Sequence, residues 1–323
     1  MIPFEPARGL RNAHLQTLLP RFLRRSPLFT PIEQRLDTPD GDFLDLAWTA
    51  PAEEYPPNQP IMILFHGLEG SFRSPYANGL LNAAKQQGWL GVMMHFRGCS
   101  GEINRLAHGY HSGETSDATF FLTWLRQQFP QNPFWAVGVS LGGNMLVNYL
   151  AENPSKSEIE AAQVISPPLS LSSCSERIQQ GFSRVYQQYL LSSMKKNLSQ
   201  KIAILPDKMP LTASEVEQIR TLWQFDEQVT APLHGFKDAA DYYLRCSGIS
   251  KLQQITTPLR IIHAADDPFM TNAVIPTEPL PGNIDYHLTP NGGHVGFVSG
   301  TWRNPEFWLE KTVPEWFDKI ACS

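Results

Sequence analysis

The stretch Phe134-Trp135-Ala136-Val137-Gly138-Val139-Ser140-Leu141-Gly142-Gly143 decides how this chain is read. Its first residues form a short apolar run without a charge, the pattern of a strand buried on both faces. From Leu141 to Glu152 the pattern is helical. The change from strand to helix therefore falls inside Gly138-Val139-Ser140-Leu141-Gly142, a G-x-S-x-G motif. A turn this tight forces its central residue into strained backbone geometry. Small residues are needed two positions before and two after it to avoid clashes. The serine oxygen then stands clear at the top of the sheet. The five letters alone occur by chance in many glycine-rich loops; a strand before and a helix after do not.

The same rhythm extends outward. Apolar runs recur at Ile61–Phe65, Leu90–His95, Ala161–Ile165, Leu259–Ala264 and Ile284–Leu288, with helical stretches at Pro75–Gln87 and Glu114–Phe129. Alternating strand and helix patterns predict an α/β fold with a mostly parallel sheet and helices on both faces. Ahead of it, Ile32–Asp37 and Phe43–Trp48 flank Pro39-Asp40-Gly41-Asp42, a turn signal for an antiparallel hairpin at one edge. The rhythm breaks between about Pro167 and Ser250, a polar and helical stretch too long for an ordinary crossover. Thr212 with Glu215 marks a capping box within it. Residues 1–166 and 251–323 are thus expected to form one catalytic core and residues 167–250 a helical cap over the carboxyl ends of the strands, where such sheets bind ligands. An amphipathic helix near Pro305–Ile320 closes the chain.

A serine is a poor nucleophile without a base. Of nine histidines, His294 follows the last strand in Asn291-Gly292-Gly293-His294, where glycines permit the path that swings an imidazole over the serine. His287, His95 and His263 fall in or beside strands, and His14 and His234 in connecting segments. The orienting carboxylate should follow Leu259–Ala264, in Ala265-Asp266-Asp267-Pro268. Asp267, before the proline, is preferred as the acid, with Asp266 bracing the turn. The order Ser…Asp…His is that of the α/β-hydrolases. An oxyanion would be held by the backbone N–H of Leu141, at a helix N-terminus, and of Leu68, in the His66-Gly67-Leu68-Glu69-Gly70 loop. His66 then braces the loop.

Other features are read more plainly. Arg97, in Phe96-Arg97-Gly98, is expected to pair with a nearby carboxylate rather than to bind an anionic ligand. His108, His111, Glu114 and Asp117 could be gathered into a metal site by spacing, but they straddle a loop and a helix start rather than sharing a helical face. No metal and no cofactor is expected. The 26 basic and 31 acidic residues form no long run of one sign, which excludes an evident nucleic-acid partner. Cys99, Cys174, Cys246 and Cys322 lie far apart without zinc-like spacing. No apolar leader and no membrane span is expected, which makes the cytoplasm the default location. Leu15–Arg25 mixes leucines with Arg21, Arg24 and Arg25 as an interfacial segment would, although Pro20 interrupts it. The sequence says nothing of oligomeric state.

On these residues the chain resembles the YheT-like esterase branch of the α/β-hydrolases, related to the animal abhydrolase-domain lipases. The matching stretches are Asn12–Thr17, His66–Ser71, Phe96–Gly101, Tyr110–Gly113, Gly138–Gly143, Phe225-Asp226, Thr230–Leu233, Asp241–Tyr243, Ala265–Pro268 and Gly292–Phe297. The resemblance implies Ser140, Asp267 and His294 as a catalytic triad acting on carboxylic esters, with a small-molecule or lipid ester as substrate. Acyl transfer on the same triad and ligand binding without turnover are the alternative readings.

Overall fold

In the computed structural model, which describes residues 3–52, 55–301 and 303–322, the apolar runs become one eight-stranded sheet. Its strands are β1 (Ile32–Asp37), β2 (Phe43–Trp48), β3 (Ile61–Phe65), β4 (Leu90–Met94), β5 (Phe134–Val139), β6 (Ala161–Ile165), β7 (Leu259–Ala264) and β8 (Ile284–Thr289), in the order β1-β2-β4-β3-β5-β6-β7-β8. β1 pairs antiparallel with β2, and β2 with β4; every other pairing is parallel. The predicted hairpin edge is present, with Gly41 at φ 87° in its turn.

Residue alternation sorts the strand side chains into two cores. Ile61, Ile63, Phe65, Phe134 and Ala136 face one, while Met62, Leu64, Trp135, Val137 and Val139 face the other. Helices cover both faces. α3 (Ser116–Gln128) and α4 (Leu141–Glu152) pack on the first; α2 (Pro75–Gln86) and α11 (Trp308–Ala321) pack on the second. With water excluded from either side, the strands read as continuous apolar runs. The chain leaves β3 toward β4 on one side and returns to β5 on the other. That reversal opens a crevice at the carboxyl ends of β3 and β5.

Between β6 and β7 the chain is helical: α5 (Leu171–Arg177), α6 (Ser183–Ile204), α7 (Ala213–Gln218), α8 (Leu222–Phe225), α9 (Ala231–Leu233) and α10 (Ala239–Cys246). Thr212 and Glu215 form the expected capping box of α7. These helices have an apolar cluster of their own, built on Leu191, Leu198, Ile202, Val216 and Phe225.

Two local expectations are corrected. The terminal helix begins at Trp308 rather than near Pro305, because Asn304–Phe307 (β10) pairs antiparallel with Val298–Thr301 (β9). A two-stranded ribbon has only edges, where a proline without an N–H is tolerated. At the other end α1 (Ala13–Leu23) runs through Pro20 instead of breaking there. Among the described residues no helix is long and apolar enough to cross a membrane.

Phe317 of α11 is fully buried, stacked on Trp135 at 5.2 Å between ring centroids. Phe317→Ala is expected to cost about 3–5 kcal/mol, read as a lower urea midpoint with an unchanged slope.

Candidate active site

Ser140 sits between β5 and α4 at φ 52° and ψ −119°. Such a conformation in a residue with a Cβ stores on the order of 1–3 kcal/mol of strain and persists only where the surroundings enforce it. They do so through backbone contacts. The Ser140 N–H donates to Ile165 O at 2.8 Å, and Gly143 N–H returns to Ser140 O at 2.9 Å. A Cβ on Gly142 would collide with the carbonyl oxygens of Phe65 and His66, so only glycine lets α4 approach the end of β3.

His294 reaches the serine from the loop after β8. Its Nε2 lies 2.9 Å from Ser140 Oγ, and its Nδ1 lies 2.8 Å from Asp267 Oδ2. Because a carboxylate only accepts, Nδ1 carries the proton and Nε2 is left to accept from the serine hydroxyl. Asp267 is almost wholly buried, and its other oxygen accepts from Phe269 N–H at 2.8 Å. The Phe269 ring lies flat against the imidazole, centroids 4.0 Å apart. Asp266 acts elsewhere, its carboxylate accepting from Gly293 N–H at 2.9 Å and from the Asn291 amide at 3.3 Å. The two adjacent aspartates thus hold the imidazole and its loop respectively.

The loop is also tied to α1. The His294 N–H donates to Thr17 Oγ1 at 2.9 Å. Buried Gln16 bonds both the N–H and the carbonyl of Val298. The sequence motif Asn12–Thr17 therefore serves the histidine loop, with Asn12 capping α1 through His14 N–H and Leu15 N–H.

After β3, the amides flanking Leu68 are fixed by two phenols: Gly67 N–H donates to Tyr76 Oη and Glu69 N–H to Tyr110 Oη, each at 2.8 Å. His66 braces the same loop. Its Nδ1 lies 2.7 Å from Gly67 O, and its Nε2 accepts from Phe96 N–H at 3.0 Å. Burial, helped by nearby His95, lowers its pKa to about 3, so the ring is neutral. Leu68 and Leu141 both line the cavity that contains Ser140 and His294. The Leu141 amide is the first of α4, with no preceding turn to accept from it. The sequence singles out Leu68 and Leu141 but assigns no role to Tyr76, Tyr110 and Thr17, although the last two fall in stretches that carry the resemblance.

The cavity at Ser140 holds about 130 Å³ and is walled by aliphatic side chains of the helical segment, Leu171, Ile178, Leu190 and Leu222 among them. A second chamber of about 170 Å³ adjoins it, with Leu68, Leu141, Met194, Asp226 and Tyr242 common to both. Burial pushes the Asp226 carboxyl up to about 6, against hydrogen bonds from Tyr243 and Thr230.

The remaining candidates lie away from the serine. His287 stacks on Trp308, His263 bonds Pro167 O and Tyr286 Oη, His95 bonds Asp45 O, and His14 bonds Tyr186 Oη. Arg97 is buried and paired, with a two-pronged contact to Asp117 and one amino group shared by Asp40 and Asp42. Asp117 is thereby drawn away from the histidines that precede it. His108 and Glu114 instead meet His234, far downstream in the helical segment.

A strained serine turn on a doubly covered parallel sheet, with the histidine and acid on later loops, defines an α/β-hydrolase. A family model described as "alpha/beta hydrolase fold" matches residues 60–301, and the chain belongs to that family. Within it, the chain is similar to "Putative esterase YheT" of Escherichia coli (strain K12), 51% identical over 97% of this chain and 92% of that protein. It is 25% identical to "Phospholipase ABHD3" of Homo sapiens over 95% of this chain and 76% of that one. The esterase Pf2001 of Pyrococcus furiosus shares the fold, with a TM-score of 0.56 at 14% identity, covering 99% of this chain and 96% of the other.

Asp226 sets a pH dependence. Its folded pKa lies above the ordinary value of 3.8. Between about pH 4 and 6 Asp226 therefore holds, when folded, a proton that it has lost when unfolded. Its own contribution to stability falls as pH rises through that window, opposite in sign to that of buried His66 and His263, whose pKa values are lowered. Asp226→Asn is expected to make stability rise more steeply with pH across that window than in wild type, measured by urea unfolding at a series of pH values.

Proposed function

We propose that the protein hydrolyses carboxylic esters by a serine mechanism, with Ser140 as nucleophile, His294 as general base and then acid, and Asp267 as the group that orients His294 and stabilises its charged form. The observation that carries this reading is the unbroken hydrogen-bonded chain from Asp267 through His294 to Ser140, at 2.8 and 2.9 Å. It ends on a serine held in strained geometry at a cavity wall.

Ser140 Oγ attacks the ester carbonyl as its proton passes to His294 Nε2. The carbonyl oxygen takes the negative charge and is held by the N–H groups of Leu68 and Leu141. Collapse of this intermediate expels the alcohol, which receives the proton from His294, and leaves the acyl group on Ser140. Water then repeats the sequence: His294 takes its proton, the acid departs, and Ser140 recovers its hydrogen. Each step uses only these side chains and backbone amides, with no cofactor. The aliphatic walls of the Ser140 cavity favour the apolar acyl part of a small-molecule or lipid ester, and residues 167–250 act as the cap that closes over it.

Labelling with a fluorophosphonate probe, alongside hydrolysis of p-nitrophenyl esters of graded acyl length, tests the proposal. Wild type is expected to carry a single adduct on Ser140. Ser140→Ala should lose the adduct and several orders of magnitude in kcat with an unchanged thermal midpoint, and Asp267→Asn should lose roughly 10⁴ in kcat by presenting the wrong tautomer. Asp266→Asn, which loosens the loop without removing the orienting acid, should be far milder. Full ester turnover in a clean Ser140→Ala preparation sinks the mechanism.

A further inference from the structure

We propose that His108, Glu114 and His234 form a binding site for a divalent cation of the zinc class, separate from the serine site, which clamps the helical segment onto the loop ahead of α3. One potential ligand atom from each of the three residues lies within 4.8 Å of the others. In a tetrahedral zinc site with bonds of about 2.0–2.2 Å, ligand atoms stand roughly 3.3–3.5 Å apart. His108 Nε2 and Glu114 Oε2 are already 3.1 Å apart, so small rotations close the set.

The surroundings hold the donors in place. Glu114 Oε1 accepts from Ser116 N–H at 2.9 Å, which leaves Oε2 turned toward the histidines. His111 accepts from Gly113 N–H on Nδ1, and its Nε2 lies 3.7 Å from the same carboxylate oxygen. Lys201 Nζ donates to His108 O at 2.9 Å and fixes the backbone that carries the first ligand. The His234 ring packs 4.6 Å from both His108 and His111. Its Nδ1 is buried without a hydrogen-bond partner among the described residues, a condition that native structures rarely leave unexplained.

The donor set determines the ion. Two imidazoles and one carboxylate suit zinc or its first-row neighbours, and three protein ligands leave a fourth position open. Calcium and magnesium, which require mostly oxygen ligands in larger numbers, are not matched. This inference replaces the expectation of no metal drawn from spacing within residues 108–117: the third ligand lies far along the chain, and Asp117 is not among them.

Chelator-treated full-length protein, titrated with Zn²⁺ by calorimetry and with Co²⁺ by visible absorption, provides the test. Stoichiometric Zn²⁺ binding and a tetrahedral Co²⁺ band are expected, unaffected by excess Mg²⁺. His234→Ala, Glu114→Gln and His108→Ala should each weaken Zn²⁺ by more than about tenfold. Ser140→Ala should leave metal binding unchanged whatever it does to ester turnover. Circular dichroism of each metal-free variant establishes that it is folded, and His108→Ala, on the loop, serves if the buried His234→Ala is not. The proposal is overturned if folded wild type gives neither heat nor band, or if the His108→Ala variant binds Zn²⁺ as wild type does.

Discussion

The site depends on one close approach: the start of α4 against the end of β3. Gly142 lies where any side chain would strike the carbonyl oxygens of Phe65 and His66. That contact lets the chain reverse from strand to helix within a residue. It puts Ser140 at φ 52° and leaves the Leu141 amide on the same cavity wall as Leu68. Ser140 and the neighbouring amides are therefore set by backbone packing, the least adjustable part of the fold. For the mechanism proposed above, little reorganisation is left for the moment of reaction, which is where electrostatic stabilisation gains its strength.

Around this fixed centre the supporting bonds divide cleanly. Tyr76 and Tyr110 hold the amides on either side of Leu68; Asp266 and Thr17 hold the histidine loop; Asp267 holds the imidazole itself. Adjacent aspartates can take different partners because they follow the end of β7. There Asp267 turns inward to meet His294, while Asp266, more exposed, reaches the loop backbone. Identical chemistry at neighbouring positions is separated by direction alone.

Much of this is legible in sequence because it is local. The sheet strands announce themselves as apolar runs, and the serine turn lies in five consecutive residues. The histidine and acid follow strand ends in an order that the fold prescribes. What is not legible depends on residues meeting across the chain. Nothing near Tyr76 or Tyr110 in the sequence says that their hydroxyls accept amides of the β3 loop. His234 reads as part of a connecting segment because its neighbours His108 and Glu114 come from the other side of β5. Asp117, grouped with those histidines by spacing, belongs to Arg97, whose buried charge requires it. The β9–β10 ribbon leaves little trace in sequence because its strands are short and one carries a proline.

The bond between Thr17 and the His294 backbone joins residues 277 positions apart in the chain. Gln16 adds two more bonds to the same late segment. A nascent chain therefore carries Ser140 long before His294. When His294 does emerge, its loop is braced by a helix that has waited without that loop since its own synthesis. A chain released before residue 294 is made therefore holds Ser140 with no imidazole to meet it.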